Sequence, residues 1–127
     1  MTMGRQLLLV DDDEAMRSVV RAMLAPMDLV IAEACNGLEL FTALTTAGPF
    51  DLIITDVRMP WVNGLQAALS IRDAGVQTPL IVMSAFGDPA LKRSVAGLAN
   101  TLFLDKPFDA ATLQSAARVM LSRDQGS

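Results

Sequence analysis

LLLVDDDEAM, residues 7–16, drives four apolar side chains straight into four consecutive acids, Asp11, Asp12, Asp13 and Glu14. The apolar part is short, rich in Leu and Val, and shows no polar alternation. That is the pattern of a central parallel strand buried on both faces. The acids then fall at the strand's carboxyl end, where the chain leaves the core.

The first run spans residues 6–10, and four further runs of the same kind follow, at residues 29–34, 51–55, 79–83 and 101–104. Helical patterns separate them. Met16, Val19, Val20 and Met23 fall at helical spacing, and Pro26 stops that helix. Leu40, Phe41 and Leu44 make a second apolar face, ended near Gly48-Pro49. Leu65, Ala68 and Leu69 make a third, closed by Gly75. Asp88-Pro89 reads as a cap followed by a first-turn proline, opening a fourth helix with Leu91, Val95 and Leu98 inward. Asp109 caps a fifth, with Leu113, Ala116, Ala117, Met120 and Leu121 inward. The order is (βα)5, which predicts a doubly wound α/β fold: a five-stranded parallel sheet with helices on both faces. Residues 1–127 read as one domain, with a core over about 6–121 and a frayed tail at 122–127.

Composition narrows the chemistry. A chain of 127 residues buries roughly two-thirds of its unfolded surface, enough for one core. It is 52% hydrophobic, yet no apolar run approaches the ~18 residues of a membrane span, so no membrane partner is expected. The start, MTMGRQ, lacks the apolar region of a signal peptide, and a single cysteine, Cys35, excludes an intrachain disulfide; both fit a cytoplasmic location. The net charge of −4 and the lack of a basic run argue against direct nucleic-acid binding. The absence of histidine removes histidine zinc sites, Ser-His triads and self-phosphorylation on histidine.

In open parallel sheets, ligands bind beyond the carboxyl ends of the strands. There the sequence places Asp11 and Asp12 (first strand), Asp56 (third), Ser84 (fourth) and Lys106 (fifth). Two carboxylates ~4 Å apart repel by about 4 kcal/mol at an effective dielectric of 20. Crowded carboxylates call for a cation, and oxygen donors without His or Cys select a hard one, Mg2+ or Mn2+. Lys106 adds a second positive charge suited to phosphate, and an aspartate can itself be the nucleophile that forms an aspartyl phosphate. Each acid also has a plainer reading. Asp13 and Glu14 read better as helix caps. Asp11 and Asp12 taken alone are open to either reading, and Asp56, Ser84 and Lys106 taken singly are turn or loop residues. The joint occurrence of all five at strand ends is the signal.

LLLVDDDEAMR, DLIITDVRMPWVNGL, PLIVMSAFGD and LFLDKPF together resemble the receiver domain of two-component response regulators, chemotaxis regulators among them. The resemblance covers about residues 6–121 and implies a flavodoxin-like sheet of order 2-1-3-4-5. It further implies that Asp56 is the phosphoacceptor, taking its phosphoryl group from the phosphohistidine of a sensor histidine kinase or a phosphotransfer protein. Asp12, Asp56 and the backbone carbonyl of Arg58 would hold Mg2+ directly, with Asp11 acting through a water. Lys106 would pair first with Asp56 and then with the phosphoryl oxygens. Ser84 would donate its hydroxyl to the phosphoryl group, with Phe103 swinging inward as Ser84 moves. The Lys106-Pro107 bond would be cis. The output would be a changed surface on the fourth helix, fifth strand and fifth helix, offered to a downstream protein target. Beyond its own phosphorylation and dephosphorylation, no enzyme activity is implied.

Some positions depart from the family's usual pattern. Ser84 stands where threonine is frequent, and Phe103 where tyrosine is frequent. Arg58 and Phe86, two residues past Asp56 and Ser84, flank the expected path of attacking water and are assigned a role in tuning hydrolysis. Thr101 and Leu102 occupy places where DNA-dimerising receivers carry acids. A salt-bridged dimer is therefore not expected, and a monomer or weak dimer is. Leu102 either faces a partner or packs into the core. Two competing functions remain. Asp11-x-Asp13 formally satisfies the spacing of haloacid-dehalogenase-like, Mg2+-dependent aspartyl-phosphate hydrolases. A phosphorylation-independent interaction domain is the other.

Overall fold

In the computed structural model, which describes residues 4–57, 64–84, 89, 93 and 97–125, five parallel strands form one sheet of order β2-β1-β3-β4-β5. The strands are β1 (Arg5–Val10), β2 (Leu29–Ala34), β3 (Leu52–Asp56), β4 (Leu80–Ser84) and β5 (Thr101–Asp105). The described helices are α1 (Glu14–Leu24), α2 (Gly37–Thr46), α3 (Gly64–Asp73) and α4 (Ala110–Gln125), the last being the fifth helix expected from the sequence. In the expected fourth helix, Pro89 and Arg93 are helical, while Asp88, Leu91 and Val95 lie outside the described residues.

The central strands lack polar alternation because both faces of the sheet are covered. Leu7 and Leu9 of β1, Leu52 and Ile54 of β3, and Ile81 and Met83 of β4 pack with Val20 and Leu24 of α1 and with Leu113, Ala117 and Met120 of α4. Leu8, Val10, Ile53, Leu80 and Val82 point the other way, onto Leu40 of α2 and Ala67, Ala68 and Ile71 of α3. Each large aliphatic side chain so buried contributes about 1.5–3 kcal/mol. Leu102 is partly buried and packs against the first core. Phe103 and Leu98 pack against the second.

Local signals set the helix ends. Asp13 caps α1, accepting from the backbone N–H groups of Ala15 and Met16. Asn36 caps α2 by accepting from Glu39 N, while Glu39 Oε1 accepts from Cys35 N, a reciprocal pair close to a capping box. Asp109 accepts from Thr112 N at 2.8 Å at the start of α4. At the end of α3, Gly75 has φ +85°, and Gly75 N donates to Arg72 O and Val76 N to Ile71 O. That two-bond pattern is the Schellman motif.

Several expectations need correction. Val19 is 47% exposed; the buried stripe of α1 runs through Val20 and Leu24, with Met16, Met23 and Met27 packed against it. Leu69 is likewise exposed, because α3 turns Ala67, Ala68 and Ile71 inward. In both helices the i+3 and i+4 positions straddle the core-facing stripe, and packing chose the other side. The tail expected to fray from residue 122 instead continues α4 to Gln125. The strands begin or end one residue away from the expected bounds at β1, β3, β4 and β5.

Candidate functional site

Register brings the site together. Val10 of β1 is level with Thr55, Asp56 with Met83, and Ser84 with Asp105. The residues just past these pairings therefore share one edge of the sheet. Asp11 continues the ladder, its N–H bonding to Ala34 O, and Lys106 N donates to Ser84 O at 2.6 Å. The Lys106-Pro107 peptide bond is cis, as is Gly48-Pro49, which the sequence reading did not anticipate.

At that edge the carboxylates of Asp11, Asp12 and Asp56 each offer an oxygen within 4.8 Å of the others. Asp11 is 1% exposed, Asp56 8% and Ser84 6%, whereas Asp12 is open to solvent. Lys106 Nζ lies 3.3 Å from Asp56 Oδ1 and 3.7 Å from Asp11 Oδ2. Among the described residues, the Lys106 ammonium alone pairs with this cluster of three carboxylates, and it reaches two of them. Burial pushes the Asp11 carboxyl above the usual carboxylate range, and the neighbouring Asp56 and Asp12 add to the rise. The Asp13 N–H and Lys106 oppose it. Asp11 Oδ2 is buried without a hydrogen-bond partner, its contact to Lys106 being an ion pair too long for a hydrogen bond.

These features fit a hard divalent cation. Three oxygen donors converge, one carries an unsatisfied buried oxygen, and a cation would relieve the repulsion that lifts the Asp11 pKa. The four other residues singled out from the sequence divide in two. Ser84 and Phe103 are placed, the first buried at the end of β4 and the second partly buried in β5. Arg58 and Phe86 lie outside the described residues.

The sequence reading missed Arg17. Its Nη1 donates to Asp11 O at 2.6 Å and its Nε to Glu33 Oε1 at 2.8 Å. Glu33, in β2, also pairs with Arg21 through Oε2 at 3.0 Å. The available signal was a cation one helical turn past the Asp13 cap, within reach of the acids that precede it.

Residues 7–118 match the family model described as the response regulator receiver domain. This chain belongs to that family. The receiver domain is 34% identical over 117 residues to the transcriptional regulatory protein FixJ of Azorhizobium caulinodans, covering 90% of this chain and 54% of the relative. It is 30% identical over 122 residues to the transcriptional regulatory protein DltR of Streptococcus agalactiae, covering 96% of this chain and 53% of that protein. The chain thus spans about half the length of these curated relatives. Among solved structures, the chemotaxis response regulator CheY4 of Vibrio cholerae superposes with a TM-score of 0.81 at 28% identity, covering 94% of this chain and 99% of that one. The fold and strand order are those of the CheY-like receivers. A receiver domain is a signalling module of two-component systems rather than an enzyme acting on external substrates. Among the described residues, no helix is long and apolar enough to cross a membrane.

Proposed function

We propose that this receiver domain accepts a phosphoryl group on Asp56 from the phosphohistidine of a sensor histidine kinase or phosphotransfer protein, with Mg2+ as cofactor. The observation that carries this reading is the placement of Lys106 Nζ between Asp56 and Asp11, at the edge where three carboxylates meet. A carboxylate oxygen of Asp56 forms the bond to phosphorus as the P–N bond to imidazole breaks, and the leaving imidazole takes up a proton. Asp11, Asp12, Asp56 and the Arg58 carbonyl would hold the cation; when bound, it neutralises phosphoryl oxygens during transfer. Lys106 moves its charge from Asp56 to the phosphoryl group, so no new cation has to be recruited. Ser84, buried level with Asp105, donates its hydroxyl to the same group.

The added charge is about −1.5 to −2, by analogy with other phosphorylated residues. It draws Ser84 and the segment after it toward Asp56, and Phe103 follows inward. The surface of the fourth helix expected from the sequence, β5 and α4 then presents a second arrangement to a downstream protein. Arg58 and Phe86 tune water access to the aspartyl phosphate.

A hydrolase built on Asp11 and Asp13 is disfavoured, because Asp13 spends its carboxylate on Ala15 N and Met16 N of α1. A domain that works without phosphorylation would not need to assemble the complete acceptor set. The test is incubation with MgCl2 and acetyl phosphate, followed by intact mass. Gain of one phosphoryl group, lost in Asp56→Asn, is expected. A chain that never gains that mass overturns the reading. Trp61, the sole tryptophan, offers a fluorescence readout of the same steps.

A further inference from the structure

We infer that Arg17 is a positioning residue for the divalent-cation cradle, holding the Asp11–Asp12 peptide in place through a guanidinium that Glu33 aligns. The inference rests on the proposed Mg2+ role of Asp11, Asp12 and Asp56.

Besides the helical bond from Arg17 N to Asp13 O and the ion pair of Asp11 with Lys106, the loop from Asp11 to Asp13 is fastened at four described points. Asp11 N donates to Ala34 O, and Asp13 N donates to Asp11 Oδ1. Asp13 Oδ1 accepts from α1. The fourth point is Asp11 O, which accepts from Arg17 Nη1 at 2.6 Å. Asp11 O belongs to the peptide that joins two of the three cradle carboxylates. Whatever fixes that carbonyl fixes the direction in which both side chains leave the backbone. The first two ties hold Asp11 to β2 and to its own turn; among the described residues, only the Arg17 contact reaches the peptide leading into Asp12 from outside the loop.

Arg17 is suited to this by shape as well as charge. Its planar fork reaches two acceptors on different elements, Asp11 O in the loop and Glu33 Oε1 on β2. Its side chain is only 15% exposed, so the bond to Asp11 O is partly shielded from water. A lysine ammonium would keep the charge but lose the fixed fork. Groups that orient metal ligands from behind typically contribute 10–100-fold in metal affinity.

Arg21 supplies an internal control. It shares Glu33 with Arg17 but is half exposed and bonds the other carboxylate oxygen, and no bond from it to Asp11 is seen. Removing it takes away an ion pair of the same kind without releasing the peptide.

Mg2+ binding is measured by calorimetry on the wild-type chain and on Arg17→Ala, Arg17→Lys, Glu33→Gln and Arg21→Ala, each checked for folding by thermal melting. Arg17→Ala is expected to bind about tenfold more weakly. Arg17→Lys should recover only part of that loss, Glu33→Gln should lose less than Arg17→Ala, and Arg21→Ala should match wild type within twofold. If Arg17→Ala does not fold, Arg17→Lys carries the test, and unchanged affinity there overturns the fork. Affinity unchanged in Arg17→Ala overturns the inference, as does an equal loss in Arg21→Ala. A wild-type chain that binds no Mg2+ overturns instead the proposed function on which the inference rests.

Discussion

Lys106 Nζ stands 3.3 Å from Asp56 Oδ1, although Asp56 ends β3 and Lys106 follows β5, with β4 between the two strands. The pairing crosses a whole strand because both side chains rise from the same carboxyl edge of the sheet. It places the only ammonium of the described site where a phosphoryl group on Asp56 would develop charge.

That geometry makes Lys106→Met a sharp test. Loss of the ammonium removes stabilisation of the transferring group, so phosphorylation by acetyl phosphate should slow by about 100-fold, the usual effect of losing one charge-stabilising donor. Mg2+ affinity should hold or tighten, since one cation no longer competes with another. A variant phosphorylated at the wild-type rate would show that Lys106 is a bystander.

Asp11 carries the clearest pH prediction. Burial raises its pKa in the folded chain above the value it has when unfolded. The folded chain then binds the extra proton in the window between the two values. Without metal, the contribution of Asp11 to stability should therefore fall as pH rises through that window and stay lowered above it. Asp11→Asn removes the penalty and should stabilise the metal-free chain by roughly 1 kcal/mol, a Tm rise of about 4 °C. The same variant should bind Mg2+ more weakly, and in the wild-type chain Mg2+ affinity should drop as pH falls through the raised Asp11 pKa. Thermal melts of wild type and Asp11→Asn with and without MgCl2 across pH decide this; a metal-free difference between the two that does not grow as pH rises would contradict it.

Ser84 should separate phosphorylation from its readout. Ser84→Ala keeps the acceptor and its ammonium, so phosphoryl gain by mass should survive, at a rate lower by roughly tenfold or less. The accompanying change in amide exchange over residues 85–105 should be lost. Persistence of that change would relieve Ser84 of its switching role.

Arg58→Ala and Phe86→Ala should each alter the dephosphorylation rate at Asp56 by more than twofold. Both follow a site residue by two positions in the sequence, and both are proposed to flank the path of the attacking water. Decay of the intact-mass signal measures the rates directly, and rates within twofold of wild type would end the assignment.

Gly75→Ala tests the fold rather than the site. Its φ is +85°, yet a Cβ there would meet nothing within 4 Å. The cost should therefore be backbone strain alone, about 1–2 kcal/mol, with no change in Mg2+ affinity. A loss of affinity would reveal coupling between the end of α3 and the distant carboxyl edge.

The sequence by itself determined the sheet, the described helices that cover it and which acids and lysine meet at its carboxyl edge. Unbroken Leu, Ile and Val in β1, β3 and β4 are legible because a strand covered on both faces has no reason to alternate. The caps Asp13 and Asp109 are legible because a helix start leaves unpaired N–H groups that a nearby carboxylate satisfies locally. Asp11, Asp12, Asp56, Ser84 and Lys106 could be gathered from sequence because a parallel sheet sends every strand's carboxyl end to the same side. Tertiary structure alone decided the rest. Which side of each helical stripe turned inward at Val19 and Leu69 depended on how the helices seat on the sheet, which periodicity fixes only to about one residue. Arg17 gained its contacts only when β2 brought Glu33 beside α1. Arg72 behaves likewise: its guanidinium holds the carbonyls of Val76, Ala99 and Asn100, anchoring the turn into β5. Long side chains that bond distant backbone carbonyls leave no periodic mark in a sequence, because their partners are chosen by the packing of other elements.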